Sequence, residues 1–480
     1  MTKNKNTSRR SFIKNSTLAF AGISIIPRHV LGRGFIAPSD QLNIAVIGGG
    51  GKGYSDAVNV YNNGASHIAA ICDVDWNQAS RAFKKFPKAQ KYKDFRRMLE
   101  EVKDIDAVTV STPDHTHAVA AMMAIKSGKH VYVQKPLTHS IYEARMLTQA
   151  ANQYKVVTQM GNQGASGDGV KQMIKWFDEG KIGNVNTVHV WTNRPVWPQG
   201  IPIPTDRPKV LEGLDWDSWI GPANMVDYHP LYHPFKWRGW WNFGTGALGD
   251  MGCHLMDPPF RVLGLGYPTE VESSVGAIYT KDWVPEYLPE SCPPSSRTQL
   301  KFPPSEKNPT ELLMTWTDGG LRPFHPELIP ADHPIGDDNS ANGVIMIGEK
   351  GIMTCGTYGL NPKIYFNSGE ILVANDIENK NSLPENGHQA SWVKACKEGF
   401  GKEKHRALTS SFDFAGPLTE AILMGNLAIR SYMIRKGRSD NRFDYPGRKK
   451  LIWNGMDMKI TNFDEANQFV KREYRKGWSL

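Results

Sequence analysis

The chain has 480 residues, 40% of them hydrophobic and 22% charged. That is a globular composition on a length exceeding what one hydrophobic core usually organises, so at least two domains are expected. The net charge of +9 suggests a polyanion partner, but Lys3, Lys5, Arg9, Arg10, Lys14, Arg28 and Arg33 all lie within residues 1–37, where there is no acid, and removing those seven leaves +2. The excess belongs to a terminal segment rather than to a nucleic-acid-binding face. The five cysteines, Cys72, Cys253, Cys292, Cys355 and Cys396, are widely spaced and form no CxxC, so neither a disulfide framework nor a zinc site is indicated, and no metal is assigned.

Residues 1–39 are read as an export signal and linker. Ser8-Arg9-Arg10-Ser11-Phe12-Ile13-Lys14 precedes the short apolar run Thr17 to Ile26. It resembles a twin-arginine signal, because the paired arginines, the Phe and the Lys all stand in place. No small-residue cleavage site is clear, so retention at the inner membrane stays open, and no Cys lies near the run to make a lipoprotein. That route carries folded proteins. It implies a periplasmic protein whose partners include the twin-arginine machinery, and which takes up any cofactor before export and keeps it between turnovers.

From Asn43 the apolar residues to Ile47 read as a buried strand that runs into Gly48-x-Gly50-x-x-Gly53, followed by a helical pattern with Ala57, Val58 and Tyr61. Strand, glycine turn and helix in that order are the context of a dinucleotide fingerprint. Gly48 makes the tight turn, Gly50 lets a pyrophosphate approach the backbone, and Gly53 lets the helix pack on the strand. Gly51 and Lys52 complete the loop, whose helix N-terminus offers N–H groups to phosphate. A second apolar run, Ile68 to Cys72, ends at Asp73, 20 residues beyond Gly53. A carboxylate there hydrogen-bonds the adenosine ribose and repels a 2′-phosphate, favouring NAD over NADP. Asp75 is the alternative for this role, and the structural reading of Asp73 is a turn or helix cap.

Strands are predicted at 43–47, 67–72, 107–111, 130–133 and 156–160, and helices at 53–62, 77–86, 94–102, 115–127 and 140–153. This alternation predicts a doubly wound parallel sheet over residues 40–160. Ligands of such sheets bind at the carboxyl ends of the strands. The strand ends Ser111-Thr112-Pro113, with His115 and His117, and Gln134-Lys135-Pro136 are therefore placed at the cofactor, and Gln163 beyond the last strand is added to that set. Lys135 beside the nicotinamide can stabilise a developing alkoxide; its structural reading is a solvated loop lysine. His115 and His117 are also read as a metal pair, disfavoured because no acid or third His is close in sequence.

The glycine pattern, Asp73, Ser111-Thr112-Pro113 with His115, and Lys135-Pro136 together resemble the glucose–fructose oxidoreductase / inositol dehydrogenase / rhizopine-catabolism (Gfo/Idh/MocA) family. Members usually read Glu-Lys-Pro, whereas this chain has Gln134, which lacks the charge that would hold the lysine protonated. The Lys-Pro bond in this family can be cis. The resemblance implies, for residues 161–480, an α+β domain with a large, open, mainly antiparallel sheet. One face covers the cofactor cleft and the other pairs with a second subunit, giving a homodimer or tetramer.

In that half a helix is predicted at 169–179, a strand within Gly183 to Asn193, and surface loops in the Pro-rich stretches. The stretch Arg430 to Lys476, with 13 basic and 6 acidic residues, is read as a solvated surface helix and tail. Glycines around Thr245 lead into a helix on which Asp250 and His254, four apart, share a face. Oxidising an alcohol requires hydride to leave carbon and a proton to leave oxygen, and a histidine suits the second task. The resemblance implies Lys135, Asp250 and His254 as the catalytic group, with His254 as base. Trp240 and Trp241 are candidate sugar platforms, Arg194 and Arg238 candidate donors to substrate hydroxyls, and the loop Tyr228 to His233, including Tyr232, a source of further acid/base groups. The leading reading is an exported NAD-dependent oxidoreductase acting on a sugar, polyol or glycoside. A second is a glycosidase that oxidises its substrate transiently with NAD, and a third is a non-catalytic sugar-binding protein on the same fold.

Overall fold

The structure is a computed structural model and describes residues 41–374, 387–439 and 442–480; the export signal read at 1–39 lies outside the described residues. The first part of the chain alternates β1 (Leu42–Ile47), α1 (Gly51–Tyr61), β2 (Ser66–Cys72), α2 (Ser80–Lys85), β3 (Gln90–Tyr92), α3 (Phe95–Glu101), β4 (Ala107–Val110), α4 (Asp114–Lys126), β5 (His130–Val133), α5 (Ile141–Gln153) and β6 (Thr158–Met160). The six strands are parallel, in the order β3-β2-β1-β4-β5-β6. Alternate residues of β1 feed the two faces: Ala45 and Ile47 join one core, Ile44 and Val46 the other. Both faces are covered, as a parallel sheet requires. The edge strand β3 is absent from the sequence reading because Gln-Lys-Tyr carries no apolar signal and is largely exposed.

The second sheet has ten strands. With α6 (Asp168–Asp178), β7 (Val185–Trp191), α7 (Trp216–Ile220), α8 (Gly246–Leu255), α9 (Asp257–Val262), β8 (Glu270–Val275), β9 (Ser296–Phe302), β10 (Leu312–Thr317), β11 (Gly343–Gly348), β12 (Gly351–Cys355), β13 (Lys363–Phe366), β14 (Ile371–Val373), α10 (Gly387–Glu398), α11 (Phe412–Tyr432), β15 (Leu451–Asn454) and β16 (Lys459–Ile460), its order is β14-β13-β12-β11-β7-β10-β9-β8-β15-β16. Only β7 and β10 pair in parallel. The 21-residue α11 is apolar on nearly every side and so is buried. α10 returns to the first domain, where Trp392, Val393 and Cys396 pack on the β1 face that holds Ile44 and Val46.

The C-terminal stretch corrects the sequence reading. It is not a solvated tail: β15 and β16 extend the large sheet, and Arg472 pairs with buried Glu143 of α5 at 2.8 Å. Tyr474 donates to the same carboxylate, and Arg475 binds Asp217 of α7 at 2.5 Å. Arg472 and Arg475 are there because acids await them on elements hundreds of positions earlier, buried Glu143 and exposed Asp217, which composition alone does not reveal. Among the described residues no helix is long and apolar enough to cross a membrane.

Candidate active site

A cleft of about 630 Å³ opens at the carboxyl ends of the parallel strands, a size suited to a large ligand. Its floor is the turn between β1 and α1. Gly48 takes φ +85, and a Cβ there would meet Ser111 O at 2.5 Å; a Cβ on Gly53 would meet Gly48 O at 1.8 Å. Gly51 takes φ +48 with nothing within 4 Å of its Cβ position, which leaves an open cradle over the N-terminus of α1. Gly50 lines the cleft, and a Cβ there would also meet Gln78 at 2.9 Å. Asp73 Oδ2 accepts the N–H groups of Gly49 and Gly50 at 2.8 and 3.1 Å. This carboxylate shows the loop to be a working anion nest, and it sets Asp73 on the cleft wall. Burial lifts its pKa to about 6 against the pull of those N–H donors, so it is mainly ionised at neutral pH.

Asp75 is not free for the ribose role considered for it. It is buried, accepts from the backbone of Asn77 and Gln78, and faces His233 Nε2 at 2.8 Å. His233 belongs to the loop offered as a source of acid/base groups, and that loop instead roofs the Asp73 end of the cleft. Asp215 N donates to Val74 O at 2.9 Å, Asn77 to Glu212 O at 2.7 Å, and Trp219 and Trp478 line the opening. β2 and β5 are separated by β1 and β4, so at a spacing near 4.8 Å the two ends of the cleft lie roughly 14 Å apart. The Tyr228–His233 loop therefore serves the far end, and Tyr228 and Tyr232 are packed inside it.

The other end gathers Lys135, Asp250 and His254 with Gln163, Arg194, Arg238 and Tyr358. The Lys135–Pro136 bond is cis. Lys135 Nζ donates to Asp250 Oδ1 and to Asp250 O, both at 2.7 Å, and Arg238 Nε lies 3.4 Å from the same carboxylate. Burial works against the Asp250 charge, but Lys135 and Arg238 overcome it and hold the pKa at about 2. His254 is buried, its Nδ1 has no partner among the described residues, and its ring meets Tyr358 edge-on at 4.6 Å. Burial, then the charge of Lys135, push its pKa well below 6.5, leaving a neutral imidazole with a free nitrogen at physiological pH. Gln163 Oε1 is likewise buried without a partner, an acceptor suited to a carboxamide N–H. The nest, the cradle at Gly51 and this orphaned acceptor fit a nicotinamide dinucleotide.

Several expected contacts fall elsewhere. His115 is fully buried outside the cleft wall, with Nε2 2.9 Å from Trp219 O and Nδ1 3.3 Å from Phe243 O. It ties α4 to the roof, and burial drives its pKa to about 3. His117 is also buried, its ring nitrogens on Pro136 O at 2.7 Å and Thr112 O at 2.9 Å, so it braces the cis turn rather than touching a ligand; Pro136 and Gly53 likewise shape the wall from behind. Trp241 is a core residue capped by Arg430. Trp240 and Tyr232 pack on each other at 5.1 Å and border a separate depression. These aromatic positions are absorbed by packing, and the tryptophans at the cleft are Trp219, Trp237 and Trp478.

Gln134 does not govern Lys135, whose amine has Asp250. It donates to Asp56 at 2.8 Å, a buried carboxylate that also receives Lys52, Ser111 at 3.0 Å and Gln389 at 3.1 Å. A Glu at 134 would face that carboxylate, which accounts for the neutral side chain here. Asp56 and Tyr358 were missed from sequence. Asp56 lies on an ordinary amphipathic helix, and the only local hint of Tyr358 is the pair of glycines around its left-handed turn, φ +66.

The sequence model of the Gfo/Idh/MocA oxidoreductases, NAD-binding Rossmann fold, matches residues 42–162, and that of the C-terminal alpha/beta domain of the same oxidoreductase family matches residues 176–281. The chain is 25% identical over 255 residues to a levoglucosan dehydrogenase of Pseudarthrobacter phenanthrenivorans, covering 51% of this chain and 55% of that protein. It is 29% identical over 171 residues to a glycosyl hydrolase family 109 protein of Shewanella, covering 30% and 37%. The chain thus spans about half the length, or less, of these curated relatives. Among solved structures, a levoglucosan dehydrogenase in complex with NADH and levoglucosan superposes with a TM-score of 0.54 at 17% identity, covering 85% of this chain and all of that one. An inositol dehydrogenase homolog from Azotobacter vinelandii, with NADH and myo-inositol, gives 0.51 at 15%, covering 80% and 93%. At these identities the likeness concerns the fold. The two domain models of the Gfo/Idh/MocA oxidoreductases thus match this chain in N- to C-terminal order, and residues 42–162 form an NAD-binding Rossmann domain of that type.

Proposed function

We propose that the protein transfers hydride between bound NAD and a hydroxyl-bearing carbon of a sugar, polyol or glycoside. The observation that carries this reading is the meeting of Lys135, Asp250 and a neutral, unpartnered His254 at one end of the dinucleotide cleft. When bound, NAD supplies the hydride acceptor. Lys135, fixed by Asp250, donates to the substrate oxygen and stabilises the negative charge that develops there. His254, which lines the cleft, takes the hydroxyl proton on its imidazole ring. Asp250 stays ionised and keeps Lys135 directed into the cleft. The roof from Glu212 to Trp219 and Trp478 closes over the Asp73 end, in keeping with a cofactor that stays bound through export to the periplasm, with a homodimer or tetramer formed through the free face of the large sheet.

One observation favours the transient-oxidation glycosidase as a second reading: Tyr358 stands against His254 and offers the additional acid that elimination and hydration require. Two measurements separate the readings. Denaturing the purified protein and weighing the released dinucleotide tests the cofactor; absence of NAD(H), with no binding on addition, sinks both. A p-nitrophenyl glycoside panel in D₂O, with and without an acceptor sugar, tests the chemistry. Keto product with the glycosidic bond intact is expected. Nitrophenol release without acceptor, with deuterium at C2, would establish the glycosidase instead.

A further inference from the structure

The cations at the substrate end outnumber the carboxylates that meet them. Lys135, Arg194 and Arg238 line it with Asp114 and Asp250. Asp250 takes both Lys135 and Arg238. Asp114 is buried and accepts Thr245 Oγ1 at 2.6 Å. Arg238 is further engaged over the Trp237 ring at 4.2 Å. Arg194 receives none of this. Its guanidinium donates to the neutral Asn193 Oδ1 at 2.7 Å, and among the described residues it forms no ion pair.

Its position is nonetheless built. Three residues past the end of β7, the Arg194 N–H donates to Thr192 Oγ1 at 3.2 Å, and that hydroxyl donates to Asn342 Oδ1 at 2.6 Å. The Arg194 carbonyl accepts Gly319 N at 2.6 Å. The backbone is thus pinned to the large sheet on both sides of the residue, and the half-buried side chain reaches the cleft. It lines the same cleft as His254 and Tyr358. A guanidinium held at the cleft wall with only a neutral amide as partner is available to an anionic ligand. Its planar fork suits a carboxylate, which it can grip with two hydrogen bonds.

We propose that the substrate is an acidic saccharide whose carboxylate docks on Arg194 while its hydroxyl lies between Lys135 and His254. This rests on the oxidoreductase reading of the same site and names its substrate class. The test uses the full chain with its dinucleotide. Initial rates are measured on paired methyl glycosides that differ only in a C6 carboxylate or hydroxymethyl group, and on a sugar phosphate and a sugar sulfate. Calorimetric titration of a uronate into the reduced holoenzyme reads binding without turnover. The expected result is a kcat/KM for the uronate at least about 10-fold above its neutral partner, falling with Arg194→Gln by about 10–100-fold relative to that partner, the range of a charge-assisted hydrogen bond. Arg194→Lys should retain part of the preference, since it keeps the charge and loses the fork, and it serves if the Gln variant does not fold. Equal rates on acidic and neutral partners would overturn the inference and leave the oxidoreductase reading standing. A preference that survives Arg194→Gln would overturn the assignment to Arg194. A preference for phosphate or sulfate would overturn the carboxylate. If no saccharide reduces the bound cofactor and none binds, the oxidoreductase reading itself fails, and this inference with it.

Discussion

The environment of His254 sets up a pair of opposite responses. Burial is the main reason that its pKa lies well below 6.5; Lys135 lowers it further, and Asp250 raises it. Asp250→Asn keeps the volume and removes the carboxylate, so it should push His254 lower still. Lys135→Met removes the opposing cation and should raise the His254 pKa, while burial continues to hold it down. The wild-type kcat/KM profile should show no acid limb between pH 6 and 7; the acid limb of the residual activity of Lys135→Met should lie above that of the parent, and that of Asp250→Asn below it. The same carboxylate also has a stability consequence. Its fall from 3.8 to about 2 corresponds to roughly 2–3 kcal/mol of net favourable interaction. A lowered carboxylate contributes above its unfolded pKa and loses the contribution as pH falls through the folded value. At pH 7, urea unfolding of Asp250→Asn should therefore show a loss of at least about 2 kcal/mol, since two cations are left without their partner. A variant as stable as the parent, with acid limbs that do not move apart, would refute the electrostatic account of this cluster.

Three further outcomes are expected. His254→Ala should lower kcat by about 10²–10⁴-fold while the protein still releases dinucleotide on denaturation; near-normal turnover would move the base elsewhere, with Tyr358 the first to examine. Gly53→Ala should abolish cofactor retention and cost about 3 kcal/mol or more in thermal or urea unfolding, because the added Cβ meets a backbone oxygen that cannot turn aside; a stable, NAD-loaded variant would contradict the loop geometry. Stability should fall as pH drops below about 6.5: burial holds His115 at about 3 and His388 at about 4, so the unfolded chain takes up protons that the folded one refuses. Asp73 and Asp318, raised by burial to about 6, offset the two histidines between roughly pH 6 and 4, so the thermal midpoint should change little there and fall again below pH 4, where His115 and Asp250, held at about 3 and about 2, lose their contributions. A midpoint that fell steadily from pH 6 to 4 in the parent, or that did not fall more steeply there once Asp318→Asn removes one of the offsetting carboxylates, would contradict this balance.

What the sequence by itself determined is local. The apolar run that becomes β1, the glycines spaced to turn into α1, the acid closing β2 and the Lys-Pro after β5 carry their meaning within a few residues. Backbone sterics and strand burial act at that range, and so the parallel sheet, the dinucleotide loop and the family likeness were legible. The Asp250 and His254 pair was visible as one face of one helix. Only the tertiary structure decided which of many polar and aromatic residues share a cavity. Lys135 meets Asp250 across 115 positions, and Gln134 meets Asp56 across 78. Trp241 and His115 vanish into packing, while Tyr358 and Trp478, unremarked along the chain, reach the cleft. An aromatic ring or a histidine has the same composition in a core as in a site. What separates the two is whether neighbours from distant segments close over it and satisfy its polar atoms, and that is settled by how the two sheets and the returning C-terminal stretch pack together.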